Sequence, residues 1–299
     1  MSNHKFGIGT WGFGSFEYGR ITKKEIFGIL DKAQSIPISC LDTAPLYGNG
    51  EVEKIIGQYI FSRRNKPFNI FTKFGLQNEQ NNNREFSANR MIKSVETSLN
   101  RLNINQIDTL FIHSPTDTEL LKTLEYESFF YDLLSSKKIK SIGLSTLKLE
   151  QIELLKNFKF ISVVETTCHL LDLRILKYQN LLSNFRVVAR SPLAHGFLTD
   201  NPPGKQNLPR NFRYQNAKYL SYFENNSNFF RTMSHDFGMK LEIFALVFLK
   251  SLPILTYIIP GVMSIKQLEQ VKIANEHPNF SEKILDNILK ISLEINKIF

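Results

Sequence analysis

The sequence predicts an α/β protein folded as a single (β/α)8 TIM barrel, and three observations lead to this prediction. The chain has 299 residues, which is close to the roughly 250 that eight strand–helix units require. Short apolar, β-branched runs alternate along it with longer segments of helical period. Eight such runs occur, and regular strand–helix alternation favours a parallel sheet that closes into a barrel. We expect one domain over residues 1–299.

Each predicted strand is a short apolar run, and the segments between the runs carry an apolar helical face. In Ser87–Leu102, apolar side chains recur at spacings of three and four residues, and Leu149–Phe158 shows the same period. The strands are predicted at Lys5–Gly9, Ile38–Asp42, Asn69–Lys73, Ile107–His113, Ile139–Leu144, Ile161–Glu165, Arg186–Arg190 and Thr256–Pro260.

Two segments depart from the regular repeat. The stretch Gly196–Asn228, after the seventh strand, is long, polar and proline-bearing. It is predicted to be an irregular loop, and long loops in compact domains usually serve function or move. The tail Ser281–Phe299 follows the eighth unit and is predicted to form an extra C-terminal helix.

The composition is that of an ordinary soluble protein and excludes several classes of function. Hydrophobic residues make up 42% and charged residues 22% of the chain. Its two cysteines, Cys40 and Cys168, form no CxxC pair, so a disulfide framework and a cysteine-based metal site are not expected. The N-terminus lacks the apolar core of a signal peptide, and no run reaches the ~18 apolar residues of a membrane span. We expect a cytoplasmic protein without a membrane partner.

The net charge of +9 has two interpretations. A basic protein can bind nucleic acid, a membrane surface or a phosphorylated substrate. Here the basic residues are scattered, and the nearest approach to a cluster is Lys137, Lys138 and Lys140. We therefore interpret the charge as solvated surface and expect no nucleic-acid partner.

Four ionisable side chains follow three consecutive predicted strands. Asp42 ends the second strand and Tyr47 lies in the next loop, whereas Lys73 ends the third strand and His113 the fourth. Active sites of (β/α)8 barrels form at the C-terminal strand ends. Each residue alone has a structural explanation, as a helix cap, a surface lysine or a buried histidine. Their convergence on one rim predicts a catalytic site.

These four residue types suit proton transfer to an oxygen that gains negative charge. The phenol of Tyr47, with an ordinary pKa of about 10, is a weak acid at neutral pH. A cation such as Lys73 lowers that pKa, and Asp42 would hold the cation in place. His113 can orient a carbonyl oxygen. None of them supplies a hydride, so the reaction requires a cofactor.

Dispersed motifs occur in a fixed order along nearly the whole chain: Gly7–Trp11, Leu41–Ala44 with Tyr47, Gly48 and Glu51, Phe71–Lys73, Leu110–Pro115, Gly143–Ser145, Ser191–Leu193 with Gly196, and Ile259–Gly261. Together they resemble the aldo-keto reductase family. The resemblance implies Asp42, Tyr47, Lys73 and His113 as catalytic residues. It also implies NADPH bound in extended form across the strand ends, without a dinucleotide-binding βαβ domain.

Three positions depart from the family pattern around the nicotinamide. Thr146 stands where asparagine is usual, Glu165 where glutamine is usual, and Arg190 where an aromatic ring stacks on the nicotinamide. The planar guanidinium of Arg190 can stack on a ring, bind a phosphate or substrate carboxylate, or form a structural salt bridge to Glu165.

The adenosine end of the cofactor site is also altered. Ser264 and Lys266 can meet a 2′-phosphate, but Ser264 can equally cap a helix and Lys266 can be a solvated helix residue. NADPH is expected, and NADH stays open. The cofactor-binding residues that the resemblance implies are Thr10, Trp11, Ser145, Thr146, Glu165, Arg190, Ser191, Pro192, Leu193, Gly196, Gly261, Ser264, Lys266 and Gln270.

The resulting hypothesis is an NAD(P)H-dependent reductase of an aldehyde or ketone, including sugars or sugar derivatives. The alternatives are a cofactor-binding regulatory or assembly subunit, and the reverse oxidation of an aldose or sugar alcohol. We expect a small-molecule carbonyl substrate and a monomer or small homo-oligomer.

The substrate pocket is predicted to be walled by Trp11, Phe13, the loop after Tyr47 and the long Gly196–Asn228 loop. Aromatic and basic residues interleave in that long loop and would suit a sugar or phosphorylated substrate, although a solvated loop is the simpler interpretation. They are Lys205, Arg210, Phe212, Arg213 and Tyr214.

Overall fold

The structure is a computed structural model that describes residues 5–14, 19–78, 83–202 and 217–295. Its strands are β1 (Ile8–Gly9), β2 (Cys40–Asp42), β3 (Asn69–Phe74), β4 (Leu76–Asn78), β5 (Asn83–Arg84), β6 (Thr109–His113), β7 (Ile142–Ser145), β8 (Ile161–Thr167), β9 (Arg186–Arg190) and β10 (Tyr257–Ile259).

Eight of these strands form one parallel sheet that closes on itself. Their order is β1-β2-β3-β6-β7-β8-β9-β10. The two ends of the sheet meet, because Gly7 N donates to Ile258 O at 3.0 Å and Gly9 N donates to Pro260 O at 2.8 Å. The predicted (β/α)8 TIM barrel is thus confirmed. The remaining strands, β4 and β5, pair as a small antiparallel hairpin that the sequence pattern did not predict.

The barrel interior is stratified into an apolar layer and a polar layer above it. Six inward side chains form a buried apolar cluster: Cys40, Phe71, Phe111, Val163, Val188 and Ile259. Side chains alternate between the two faces of a strand, so the residue two positions later faces inward again. The polar layer is formed by the residues that lie two positions after the first five of these: Asp42, Lys73, His113, Glu165 and Arg190.

Helices surround the barrel. They are α1 (Lys23–Ala33), α2 (Glu51–Arg63), α3 (Ala88–Leu102), α4 (Asp117–Leu124), α5 (Glu127–Ser135), α6 (Gln151–Leu154), α7 (Gln179–Leu182), α8 (Ala217–Asp236), α9 (Leu241–Ser251), α10 (Ile265–Glu276) and α11 (Glu282–Ile295). The start of α1 is fixed by a capping box, in which Thr22 and Glu25 each accept from the other's backbone N–H. No helix in the described part of the chain is long and apolar enough to cross a membrane.

Two helical segments differ from the sequence prediction. The segment Leu149–Phe158 is regular α-helix only in α6 and continues as a 3-10 turn over Leu155–Asn157. The predicted loop Gly196–Asn228 is wrong in its second part, because α8 begins at Ala217. Phe223 and Phe230 of this helix are buried. The helix is otherwise rich in polar residues, and these obscured its apolar period in the sequence.

Part of that predicted loop and both ends of the chain fall outside the described residues. Residues 203–216 lie there, with the aromatic and basic side chains that were predicted to wall the substrate pocket. The predicted C-terminal helix is present as α11 within the described range.

Candidate active site

The polar layer at the barrel mouth is centred on the ammonium of Lys73, which is 1% exposed. Lys73 Nζ forms an ion pair with the carboxylate of Asp42 and donates to the backbone oxygen of Thr43 at 3.1 Å. It also lies 3.7 Å from Glu165 Oε1. Because β2 pairs in parallel with β3, Asp42 lies on the strand next to that of Lys73. Glu165 reaches Lys73 from β8, across the barrel. One buried cation thus faces two buried carboxylates.

Tyr47 lies beside this cation on the turn that follows β2. Its ring is buried, with the centroid 5.4 Å from Lys73 Nζ, and the Trp11 ring meets it edge-on at a centroid distance of 4.9 Å. The turn is left-handed at Gly48, where φ is +56°. A Cβ on Gly14 would lie 2.9 Å from Gly48 N. The two glycine backbones therefore approach closely, and this holds the turn that contains Trp11 against Tyr47.

His113 completes the group that the strand ends bring together. It ends β6 and is buried, and its Nδ1 has no hydrogen-bond partner within the described residues. Burial first, and then the cations of Lys73 and Arg190, hold the pKa of His113 well below its ordinary value. The ring is therefore neutral at neutral pH and carries one N–H that it can donate to an oxygen.

Burial and charge act on the other groups in opposite directions. Burial disfavours the Lys73 ammonium, but the charges of Asp42 and Glu165 raise its pKa above the ordinary value. For Tyr47, burial raises the pKa and Lys73 offsets only part of that rise. Lys73 thus lowers the pKa of the phenol as the sequence argument expected, but desolvation of the phenolate is the larger effect.

Glu165 is engaged differently from the sequence expectation. Ser145 Oγ donates to its Oε1 at 2.6 Å, and its Oε2 is buried without a hydrogen-bond partner. Within the described residues no salt bridge joins Glu165 to Arg190, so the structural pairing considered for these two residues is wrong. The contact between Glu165 and Lys73 escaped the sequence reasoning. The inward parity of Glu165, two residues after Val163, could have shown that it faces the mouth, but not which residue it meets across the barrel.

Arg190 ends β9 on the inner face of the barrel and is partly buried. Its Nε is buried without a hydrogen-bond partner, and the described residues offer it no salt bridge. The Arg190 cation lowers the pKa of both Tyr47 and His113, so its charge acts on the groups at the mouth. A buried guanidinium nitrogen without a partner is costly, so this side chain is suited to a ligand.

Two threonines of the predicted cofactor shell are committed to the protein itself. The Thr10 hydroxyl donates to the backbone oxygen of Asp42 at 2.9 Å and supports the end of β2. The Thr146 hydroxyl donates to Gln151 Oε1 at 2.7 Å and accepts from Lys148 N at 2.9 Å. The structure therefore brings Ser145, but not the Thr146 hydroxyl, to the mouth.

A tight turn follows Arg190, where cofactor contacts were predicted. Ser191 has a left-handed φ of +52° and Gly196 a φ of +96°. Between them, Pro192 and Leu193 lead into a 3-10 turn in which Ala194 N donates to Ser191 O at 2.9 Å. These residues lie directly beyond the strand end, next to the polar layer.

The N-terminus of α10 forms the other predicted part of the shell. Ser264 is its N-cap and accepts from Gln267 N at 3.2 Å, so the capping role considered for it is present. Lys266 is exposed in the first turn, and Gly261 is exposed just before it. Gln270 donates its amide to Glu242. A helix N-terminus with a nearby lysine suits a phosphate.

The mouth fits a planar, polar ligand. Three buried side-chain atoms of the polar layer lack hydrogen-bond partners within the described residues: His113 Nδ1, Glu165 Oε2 and Arg190 Nε. Unpaired buried polar atoms are rare because each costs free energy. A nicotinamide has a flat ring and an amide group that can both donate and accept. It could therefore supply the hydrogen bonds that these atoms lack.

Comparison with known proteins gives a consistent result. The model of the Aldo/keto reductase family matches residues 5–292. An uncharacterized oxidoreductase of Bacillus subtilis (strain 168), YqkF, is 30% identical over 276 residues, which cover 88% of this chain and 86% of that protein.

Two solved structures share the fold. The aldo-keto reductase AKR11C1 from Bacillus halodurans, in its holo form, has a TM-score of 0.79 at 24% identity and covers 96% of this chain and 91% of its own. An aldo/keto reductase from Klebsiella pneumoniae, in complex with NADP and acetate, has a TM-score of 0.71 at 20% identity, with coverage of 96% and 91%.

Proposed function

This chain belongs to the aldo/keto reductase family and is an NAD(P)-dependent oxidoreductase, and we propose that it reduces an aldehyde or ketone to the alcohol, with Tyr47 as the proton donor. The observation that carries the proposal is the placement of the Tyr47 ring beside the buried Lys73–Asp42 ion pair, with the centroid 5.4 Å from Lys73 Nζ. A phenol needs such a cation if it is to lose a proton inside a protein.

Each residue of the tetrad has a distinct task. A nicotinamide bound at this mouth would supply the hydride. Tyr47 O–H gives its proton to the carbonyl oxygen as negative charge develops there, and Lys73 stabilises the phenolate that remains. Asp42 holds Lys73 through their ion pair. The neutral ring of His113 donates its N–H to the same oxygen and orients the substrate.

We propose NADPH as the cofactor, with NADH as the second choice. The Klebsiella pneumoniae relative was solved with NADP, and the N-terminus of α10, with Ser264 and Lys266, suits the extra phosphate of that cofactor. Within this site, Ser145 and Glu165 would hold the carboxamide and Arg190 would lie over or beside the nicotinamide ring. The turn from Ser191 to Gly196 would contact the pyrophosphate side.

The substrate would enter against the aromatic side of the mouth. Trp11 is partly exposed there and contacts the Tyr47 ring, whereas Phe13 is buried beneath it. A small carbonyl compound, including a sugar, suits this mixture of an aromatic wall and a polar floor.

The test is to titrate the purified protein with NADPH and with NADH, and then to screen aldehydes, ketones and sugars for loss of absorbance at the reduced-nicotinamide band. We expect tighter binding of NADPH and turnover of at least one carbonyl compound. Tight binding with no turnover of any carbonyl, and no oxidation of an alcohol with NADP⁺, would support a regulatory subunit instead. Failure to bind either cofactor would overturn the proposal.

A further inference from the structure

The mouth of the barrel holds more negative charge than its central lysine can balance. Asp42 and Glu165 both face Lys73, at ion-pair distance and at 3.7 Å respectively. All three side chains are buried, with Glu165 0% exposed. With both acids ionised, this three-residue cluster has a formal charge of −1. An unbalanced buried charge is unfavourable unless a proton or a cation compensates it.

The other groups that face the cluster do not remove this imbalance. Tyr47 is a neutral phenol, and His113 is neutral because burial and nearby cations lower its pKa. Ser145 contributes only its hydroxyl to Glu165 Oε1. Arg190 is a further cation at the mouth, but it makes no salt bridge with either carboxylate among the described residues. Glu165 Oε2 is left without a hydrogen-bond partner.

In the absence of a cofactor, a proton is the remaining means of compensation. Burial, followed by the neighbouring Glu165, raises the pKa of Asp42 to about 7, against the opposing effect of Lys73. Two like charges that share one site cannot both ionise freely. Asp42 therefore takes up a proton more readily than an ordinary carboxyl, and an added positive charge beside it favours loss of that proton.

The redox state of a nicotinamide changes the charge of its ring. The reduced ring is neutral, whereas the oxidised ring carries one positive charge, and the rest of the cofactor is identical. We propose that the Asp42–Glu165 carboxylate pair makes this site selective for the oxidised, cationic nicotinamide and releases a proton when that form binds. The inference rests on the proposed function, since it requires the nicotinamide to lie at this mouth.

The carboxylate of Glu165 attracts the cationic ring, which an uncharged residue could not do. A glutamine at this position could still hydrogen-bond a carboxamide, but it would leave Lys73 with one carboxylate and a balanced charge. Arg190 acts in the opposite sense, because its cation repels the oxidised ring. The preference for the oxidised form thus depends on the carboxylate, and it favours alcohol oxidation as the pH rises.

The test compares the wild-type protein with Glu165→Gln, using NADP⁺ and NADPH as probes. Dissociation constants come from fluorescence titration, and proton release from calorimetry near pH 7 in buffers of different ionisation enthalpy. NADPH serves as an internal reference because it carries the same phosphates. We expect the ratio of the NADP⁺ to the NADPH dissociation constant to rise about tenfold or more in the variant. The wild type should release protons with NADP⁺ and markedly fewer with NADPH.

Glu53→Gln is the matched control. Glu53 is an equally buried carboxylate, but it lies on α2 and accepts from Thr72 on the outer face of β3, at 2.8 Å. Its variant should leave the ratio unchanged. An unchanged ratio in Glu165→Gln, or equal proton release with both probes, would overturn the inference and leave the proposed function standing. Failure of wild-type protein to bind either probe would instead overturn both.

Discussion

Arg190 ends β9 at the mouth of the barrel, at the position where the family resemblance implies a stacking aromatic ring. Its strand position sets the direction of the side chain, because it shares the inner face with Val188, which lies in the apolar layer below. Its Nε is buried and has no hydrogen-bond partner in the described structure. A charged group in this state is explained more simply by a ligand than by the fold.

Arg190→Ala is expected to weaken NADPH binding about tenfold or more, because a charge-assisted contact to the cofactor is lost. The melting temperature of the cofactor-free protein should change little, since within the described residues the side chain has no salt bridge to lose. Fluorescence titration and thermal unfolding measure the two effects separately.

Arg174→Ala is the control for that experiment. Arg174 pairs with Asp172 through two bonds of 2.8 and 2.6 Å, so this variant should lose stability while the folded protein binds cofactor normally. If Arg190→Ala behaves in this way instead, Arg190 serves the fold and does not belong to the cofactor site.

Much of the residue-level site was predictable from the sequence, for a specific reason. Side chains at strand ends of a barrel point to one rim, so Asp42, Lys73 and His113 could be grouped without coordinates. The contact between Glu165 and Lys73 could not be predicted, because strand parity gives the face of a residue but not its neighbour across the barrel. The same limit applies to the Thr146 hydroxyl, which a local turn engages.

At the scale of elements, close packing between α2 and α3 depends on one glycine. A Cβ built on Gly57 in α2 would lie 2.0 Å from the backbone oxygen of Arg101 in α3. Glycine is intrinsically unfavourable within a helix, so its use here reflects the approach of the second helix. Gly28 in α1 has no atom within 4 Å of such a Cβ.

Replacement by alanine is expected to have opposite effects on the free energy of unfolding at these two glycines. Gly57→Ala should lower the free energy of unfolding by about 1–3 kcal/mol, because backbone atoms must move apart. Gly28→Ala should raise it by about 0.5–1 kcal/mol, because alanine is the better helix former and meets nothing. Urea unfolding of both variants measures the difference. Equal effects on the two helices would contradict the packing account.

The predicted and observed elements differ where the apolar period of the sequence is weak. All eight barrel strands were predicted, because buried β-branched runs are short and distinct. The helix α8 was taken for a loop up to Asn228, because its exposed face is rich in polar residues. The hairpin of β4 and β5 was missed, since it is too short and too polar to give a two-residue period.

At the scale of the whole molecule, the barrel acts as a stack of two layers. The apolar layer around Phe71 and Phe111 gives the sheet its rigid interior, and the polar layer above it holds the ionisable groups in a fixed arrangement. A rigid scaffold allows Lys73 to be buried at fixed distances from its partners. The ionisable groups therefore lie, buried, at the rim of the barrel where the strands end.

The central claim is that Tyr47 gives the proton, and Tyr47→Phe tests it most directly. The phenyl ring keeps the edge contact with Trp11, so the dissociation constant for NADPH should stay within about twofold of wild type, whereas removal of a general acid costs about 10²–10⁴ in rate. Tyr59→Phe, at a buried tyrosine that bonds Asp31 at 3.0 Å, is the control and should keep its turnover. Steady-state turnover of a carbonyl substrate that the wild type reduces is the measurement. A fall of about 10² or more in Tyr47→Phe alone is the predicted result, and wild-type turnover by that variant would contradict the account.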